Sequence, residues 1–588
     1  MLVLMQSPPP TLHTAKGSGY LYTSHLVALD QCKPQYSQHL PEVMQHIQTP
    51  LVWESWKAAL SEHRDKTYTE YLLSGIKNGF RIGYSHTTCK CCSARGNMLS
   101  TLENPEVVDE YLHKELLEGR IADITDKAGL LPIQISPLGV IPKKHTPGKW
   151  RLIVDLSSPK DFSVNDGIPK EFCSLSYVSV DDVAKHVLEL GPGTRMAKVD
   201  IRSAYRHVPV HPDDRPLLGM QWRGHIYVDK ALPFGLRSAP KIFNSIADAL
   251  EWVIKSRGVA RVDHYLDDFI TVGDPSRDTC AGNLQTILDV CRELGITVAV
   301  EKCEGPTCCI IYLGIEIDSV EMEMRLPQEK LARLAETIKQ WRGRKACTKR
   351  ELLSLIGQLS HACKVVKPGR VFLSQMIRLS TVAKQLDHHV RLNQAFRSDL
   401  EWWFRFLSKW NGVSLIWDDQ QPSCVVTSDA SGSWGCGAFW QSQWFQVQWP
   451  ENFPSFHITV KELIPLVIAA AVWGRQWGKQ HVQFKSDNAA VVSIINGGYS
   501  KDQEIMHLMR CLHFLSARFH FCFTAKHIKG AYNTAADALS RDSLSLFQEL
   551  FPTANKRPTP IPRILMDLLM VSKPDWTSTD WTALFNSI

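Results

Sequence analysis

Two neighbouring carboxylates, Asp267 and Asp268, lie inside residues 261–273 (RVDHYLDDFITVG), flanked on both sides by apolar and β-prone residues. Val262, Tyr265, Phe269, Ile270 and Val272 predict two short strands meeting at a tight turn. Adjacent carboxylates at such a turn repel each other unless a cation neutralises them, and hard oxygen ligands of this kind suit Mg²⁺. A lone Asp-Asp pair is more often a solvated turn. Asp200 gives this one weight, because it ends another apolar strand in the run AKVDIRSAYRHVPV. Three carboxylates from two strands can hold two metal ions, which activate a 3′-hydroxyl and stabilise a leaving pyrophosphate.

A second set lies near the C-terminus. CVVTSDASGSWGCGAFW places Asp429 on a β-run, and KELIPLVIAAAVWG places Glu462 in the first turn of a buried helix. HVQFKSDNAAVVSIING ends a strand at Asp487 and opens a helix at Asn488, while AKHIKGAYNTAADALSR supplies His527, Gly530, Asn533 and Asp537. Singly, these carboxylates have ordinary explanations as turn, N-cap or first-turn charges. Their order on strand, helix, strand and helix is the informative feature.

Asp200, LPFGLRSAP (residues 232–240) and Tyr265-Leu266-Asp267-Asp268, in that order, resemble the palm of a reverse transcriptase. The D-E-D-D set with its intact HxxGxxNxxAD ending resembles ribonuclease H. The fold class implied is multidomain α/β (α+β): a right-hand polymerase with fingers, palm and thumb, followed by a ribonuclease H-like domain. The resemblance implies two Mg²⁺ ions per active site, with Mn²⁺ as the alternative ion. Asp200, Ile201, Asp267 and Asp268 would hold metal in the first site, and Asp429, Glu462, Asp487 and Asp537 in the second. His527, on a loop, would assist proton transfer or product departure.

The stretch LGVIPKKHTPGKWRLIVDLSSP reads as two β-runs joined by a turn at 145–148. Arginine offers a bidentate fork and lysine a point charge, and a triphosphate uses both. By resemblance to the fingers hairpin, Lys144 and Arg151 take the triphosphate, with Lys143 or Lys149 as substitutes for Lys144. Tyr205 would lie under the incoming sugar and exclude a 2′-hydroxyl. Phe234 and Gly235 would pack against template and nucleotide, glycine permitting close backbone approach. A lysine near Lys302, at the end of the strand predicted over ITVAVEKC, can protonate leaving pyrophosphate in this family.

The segments expected are a disordered 1–45, a helical module over 46–104, fingers and palm over 105–325, thumb and connection over 326–415, the ribonuclease H-like domain over 416–545, and a linker with a truncated segment over 546–588. The 588 residues carry 66 Lys+Arg against 60 Asp+Glu, a net charge of +6 that alone would not reveal a nucleic-acid binder. The longest apolar stretch, residues 463–473, is far below membrane-spanning length. No secretory signal is visible, so the sixteen cysteines fit a reducing intracellular setting, cytoplasmic and/or nuclear. His86, Cys89, Cys91 and Cys92 form a possible zinc set whose adjacent cysteines match no common spacing.

The implied partners are RNA template, DNA primer, RNA–DNA hybrid and deoxynucleoside triphosphates, with no membrane. Polymerase and nuclease joined directly resemble the polyprotein segment of DIRS-like retrotransposons, which carry a downstream tyrosine recombinase. Gypsy-type LTR elements share the HxxGxxNxxADALSR ending and are the second candidate source. The expected activity is RNA-directed DNA synthesis with hydrolysis of the RNA strand of the hybrid. The competing reading is a decayed or repurposed element protein that only binds RNA–DNA duplex.

Overall fold

The computed structural model describes residues 19–31, 40–85, 96–130, 132–143, 148–409, 411, 413–414, 422–451, 453, 455–562 and 565. The chain divides into two compact units, one over residues 13–313 and the other chiefly over residues 314–588. The sequence-predicted zinc set (His86, Cys89, Cys91, Cys92) and Lys144 lie outside the described residues.

The N-terminal part of the first unit includes the helices α1 (Gly19–Gln31), α2 (Trp53–Ala59) and α3 (Lys66–Asn78). The expectation of disorder over residues 1–45 is wrong for α1, whose Leu26 and Leu29 are fully buried. Averaging a polar, proline-rich composition over 45 residues hid one thirteen-residue helical stretch. Asp65 caps α3 by accepting from Tyr68 N at 2.9 Å. One face of α3 (Tyr68, Tyr71, Leu72, Ile76) is buried. These helices share one buried cluster with residues far along the chain, including Ile242, Leu250, Val290 and Leu294. Trp56, completely buried, also donates its indole N–H to Leu294 O at 3.0 Å. Residues 51–84 therefore complete the core of the unit rather than forming a separate module.

After α4 (Pro105–Leu117) comes the hairpin β1 (Leu138–Pro142) and β2 (Trp150–Val154). The central sheet has the order β4-β5-β3-β6, from β3 (Arg195–Asp200), β4 (Val262–Tyr265), β5 (Asp268–Gly273) and β6 (Glu304–Thr307). Helices α5 (Ala239–Ser256) and α6 (Thr279–Leu294) contribute Ile246, Leu250 and Ile287 to the buried cluster that also holds Val199 and Phe269. Between Ile311 and Asp318 the chain turns at Leu313 and Gly314, both with positive φ.

In the second unit an antiparallel strand pair (Ile315–Asp318 and Glu323–Arg325) precedes helices that include α7 (Gln328–Arg342), α8 (Lys349–Ala362) and the aromatic α9 (Gln394–Phe406). A five-stranded sheet follows in the order β9-β8-β7-β10-β11, built from β7 (Cys424–Ala430), β8 (Gly435–Trp440), β9 (Gln443–Gln448), β10 (His481–Ser486) and β11 (Cys522–His527). Strands β7, β10 and β11 are parallel and the β7–β8–β9 meander is antiparallel. Helix α10 (Ile458–Trp473) is apolar almost all round and buried accordingly. Then come α11 (Ala489–Gly497), α12 (Gln503–Phe519), α13 (Thr534–Ser540) and α14 (Leu544–Leu550).

Residues 546–562, expected as a linker, are docked instead. Asn555 N donates to Ser442 O at 2.8 Å and Thr559 N to Trp444 O at 2.7 Å. The prolines around Thr559 suit an extended segment lying along an edge strand, where few N–H donors are required. Phe547 anchors the strap, fully buried against Trp444 and Leu539. Phe547→Ala removes a wholly buried ring, a change that costs about 3–5 kcal/mol. The expected result is a lower melting transition by tryptophan fluorescence; an unchanged melt would mean that the strap is not docked.

Candidate active sites

In the first unit the register of β3 and β5 sets Asp200 directly opposite Asp268. Tyr265 also pairs with Asp268, so Leu266-Asp267 is a two-residue turn. Leu266 adopts φ +55°, a left-handed conformation that costs a non-glycine residue about 1–2 kcal/mol. The turn is held there because Asp267 O accepts from Ile201 N at 3.0 Å, while the Leu266 side chain packs on the central core. Ile201 thus joins the ends of β3 and the turn through its main chain, its side chain being buried.

Crowding of like charge sets the electrostatics. Asp268 is pushed up to about 6 by burial, then by Asp267 and Asp200. Burial and Asp200 also push Asp267 upward. Lys302 Nζ lies 2.9 Å and 3.1 Å from the two Asp200 oxygens, and that contact raises its own pKa. Residues 300–302 form a 3₁₀ turn, not the end of the predicted strand. In this structure Lys302 therefore neutralises a carboxylate.

Tyr205 lies beside these groups. Burial and then the Asp267 charge raise its hydroxyl pKa, and its ring centroid is 5.2 Å from that of Phe234 and 5.7 Å from that of Phe243. Its neighbour Arg206 is buried, bonded to Glu115 and Asp229 at 2.7 Å each, which anchors this turn from within. Phe234 is 54 % exposed. Gly235 takes φ +91°, and its carbonyl accepts from Asn165 Nδ2 at 2.9 Å, while Asn165 Oδ1 accepts from Arg237 N at 2.7 Å. Arg151 lies exposed on β2, opposite Ile141. Sequence reasoning missed Asn165, Arg206 and Tyr177, whose ring centroid lies 4.7 Å from that of Tyr265. Their partners are distant in sequence, so no local pattern marks them.

In the second unit Asp429, Glu462 and Asp487 each bring one carboxylate oxygen within 4.8 Å of the other two. Asp429 is one residue from the end of β7, Asp487 immediately follows β10, and Glu462 projects from α10. Helix α10 starts at Ile458, so Glu462 is in its second turn, not its first. A favourable first-turn charge therefore does not explain it. Burial raises Glu462 to about 9, with Asp429 and Asp487 adding to the effect, and its Oε2 has no hydrogen-bond partner. Asp429 is raised to about 6 by burial, then by Asp487 and Asp537, against a hydrogen bond from Ser540. Asp537, on α13, instead pairs with Arg541 at 2.7 Å. His527 is the last residue of β11 rather than part of a loop, and its Nε2 lies 3.0 Å from Asp487 O. A side chain at Gly530 would come within 3.2 Å of Asp487 Oδ2. All-oxygen donors, crowded charge and an orphaned buried carboxylate oxygen fit a hard divalent cation.

Residues 141–317 match the family model described as reverse transcriptase (RNA-dependent DNA polymerase). This segment is a reverse transcriptase domain. Over 364 residues the chain is 22% identical to the enzymatic polyprotein of cauliflower mosaic virus (strain Strasbourg), covering 58% of this chain and 49% of that one. It is 26% identical over 184 residues to the retrovirus-related Pol polyprotein from transposon 412 of Drosophila melanogaster, covering 30% and 14% respectively. The chain thus spans at most about half the length of these relatives. Among solved structures, the foamy viral protease-reverse transcriptase in complex with RNA/DNA hybrid aligns with TM-score 0.44 and 15% identity, over 83% of this chain and 64% of that one. The reverse transcriptase domain contains Asp200, Tyr205, Phe234, Gly235, Asp267 and Asp268.

The raised carboxyls of the second unit give a pH test. Glu462 and Asp429 titrate higher when folded than the ordinary 4.5 and 3.8, so their stabilisation is present below about pH 4 and is lost as pH rises through about 6 and about 9. A dication reverses that loss by favouring the ionised forms. Thermal melts should therefore show Mg²⁺ stabilisation growing from pH 5 to pH 9. A pH-independent effect would contradict metal binding by this cluster.

Proposed function

We propose that the protein is an RNA-directed DNA polymerase with ribonuclease H activity, encoded by a retroelement. The carrying observation is that two separate carboxylate sets gather in different units, Asp200/Asp267/Asp268 at strand ends and their turn, and Asp429/Asp487 at strand ends joined by Glu462 from helix α10. The proposed substrates are an RNA template with a DNA primer and deoxynucleoside triphosphates, and the RNA strand of the RNA–DNA hybrid. When bound, paired Mg²⁺ ions would activate the attacking oxygen and stabilise the departing one in both reactions.

In the polymerase unit, Asp200, Asp267 and Asp268 would hold the cations, with Arg151 facing the triphosphate and Tyr205 filling the space a 2′-hydroxyl needs. In the nuclease unit, Asp429, Glu462 and Asp487 would hold them, with Asp537 at the edge and His527 available for proton transfer. The fingers-and-palm (105–325), thumb-and-connection (326–415) and ribonuclease H-like (416–545) assignments, an intracellular location and a DIRS-like rather than gypsy-type source belong to the same proposal. The source rests on motif order and the HxxGxxNxxADALSR ending.

Separability is the decisive test. Asp267→Asn keeps side-chain shape but removes a charged ligand, and should lower primer extension by orders of magnitude while sparing hybrid cleavage. Glu462→Gln should do the reverse. Both are measured on one preparation by primer extension on RNA and by cleavage of labelled RNA in a hybrid. Absence of both activities from the wild-type chain, with duplex binding retained, would favour the binding-only reading.

Sugar selection gives an independent check. Tyr205→Ala should raise ribonucleotide incorporation more than it lowers DNA synthesis in single-nucleotide kinetics. Equal losses for both sugars would reduce Tyr205 to a packing residue.

A further inference from the structure

Asn533, Asp537 and Ser540 follow the i, i+4, i+7 spacing of one helical face, at the start, middle and end of α13. Two of them reach β7 through buried contacts. Asn533 Nδ2 donates to Ser428 O at 2.9 Å, and Ser540 Oγ donates to Asp429 Oδ2 across 111 residues of sequence. Ser540 is 0% exposed and Asp429 6%. We propose that Ser540 is a positioning residue for the nuclease metal site, fixing which way the Asp429 carboxylate faces. This inference rests on the nuclease reading above.

The geometry offers the hydroxyl two acceptors, because Asp537 O also lies 3.0 Å from Ser540 Oγ. One hydroxyl has one proton to donate. A carboxylate is the stronger acceptor, since a hydrogen bond to an ionised group is roughly twice as strong as one between neutral groups. The alternative is that Ser540 merely satisfies a carbonyl in the last turn of its own helix. Neighbouring Arg541 also holds a site carboxylate, Asp537, but that i,i+4 pair is largely solvent-exposed and screened. Burial makes the Ser540 contact the one able to fix an orientation. Outer contacts of this kind typically change metal affinity by about 10–100-fold when removed.

The test uses the full chain as wild type, Ser540→Ala and Ser540→Thr, with Glu462→Gln marking which binding event belongs to the nuclease cluster. Mn²⁺ serves as the probe, free ion being measured by electron paramagnetic resonance. Hybrid cleavage, primer extension and thermal melting are followed alongside. Ser540→Ala is expected to weaken the nuclease-site Mn²⁺ affinity about ten-fold or more and to raise the Mn²⁺ needed for half-maximal cleavage equally. Primer extension should be unchanged, and Ser540→Thr, which keeps the donor, should restore affinity. Wild-type Mn²⁺ affinity in Ser540→Ala, with only a lower melting temperature, overturns the proposal and leaves Ser540 as a helix-end contact. Should Ser540→Thr not fold, the Ala comparison decides alone. A wild-type chain that binds Mn²⁺ but cleaves no hybrid refutes the ribonuclease reading, while the comparison of affinities still decides the role of Ser540.

Discussion

Repulsion between carboxylates held close together is the constraint around which both units are built. Asp200 faces Asp268 across a strand pair with Asp267 in the adjoining turn, and Asp429, Glu462 and Asp487 converge at the end of another sheet. Each arrangement makes ionisation costly, as the upward shifts of Asp268, Asp429 and Glu462 record. Such charge stays gathered only because rigid neighbours prevent the side chains from moving apart. Strand ends suit this purpose, since the ladder fixes the backbone while the next residue leaves the sheet.

The two sites meet the constraint differently. In the reverse transcriptase domain the carboxylates are partly open to solvent, and Lys302 supplies a counter-charge to Asp200. The backbone carries strain at Leu266, which the Ile201–Asp267 hydrogen bond and core packing hold in place. In the second unit Glu462 is buried on an apolar helix, and among the described residues no lysine or arginine offsets its charge. Burial there raises the cost of the charged state, a cost that a dication would offset.

Buried polar contacts supply the remaining rigidity. Asn165 bonds the loop at Gly235 from two sides, and Arg206 is held between Glu115 and Asp229 directly behind Tyr205. Breaking such a buried pair is expensive because the surviving charges lose their compensation. These bonds hold the segments on which Tyr205 and Phe234 stand.

The sequence by itself determined the strands and helices that bear or flank Asp200, Asp267, Asp268, Asp429, Glu462, Asp487 and Asp537, because period-2 and period-3.6 apolar patterns and short motifs are local properties. It also placed the turn between Tyr265 and Asp268. It misjudged residues 19–31 and 546–562, where composition suggested loose chain: whether an apolar face or a proline-rich strand is covered depends on surfaces assembled elsewhere. Only the tertiary structure decided that Trp56 belongs to the core with Leu294, that Glu462 is isolated from the helix start, and that Ser540 reaches Asp429. Each of those facts is a contact between residues more than 70 positions apart, or a helix boundary set by packing. No local pattern encodes either, because burial and the pairing of polar groups are properties of the folded chain.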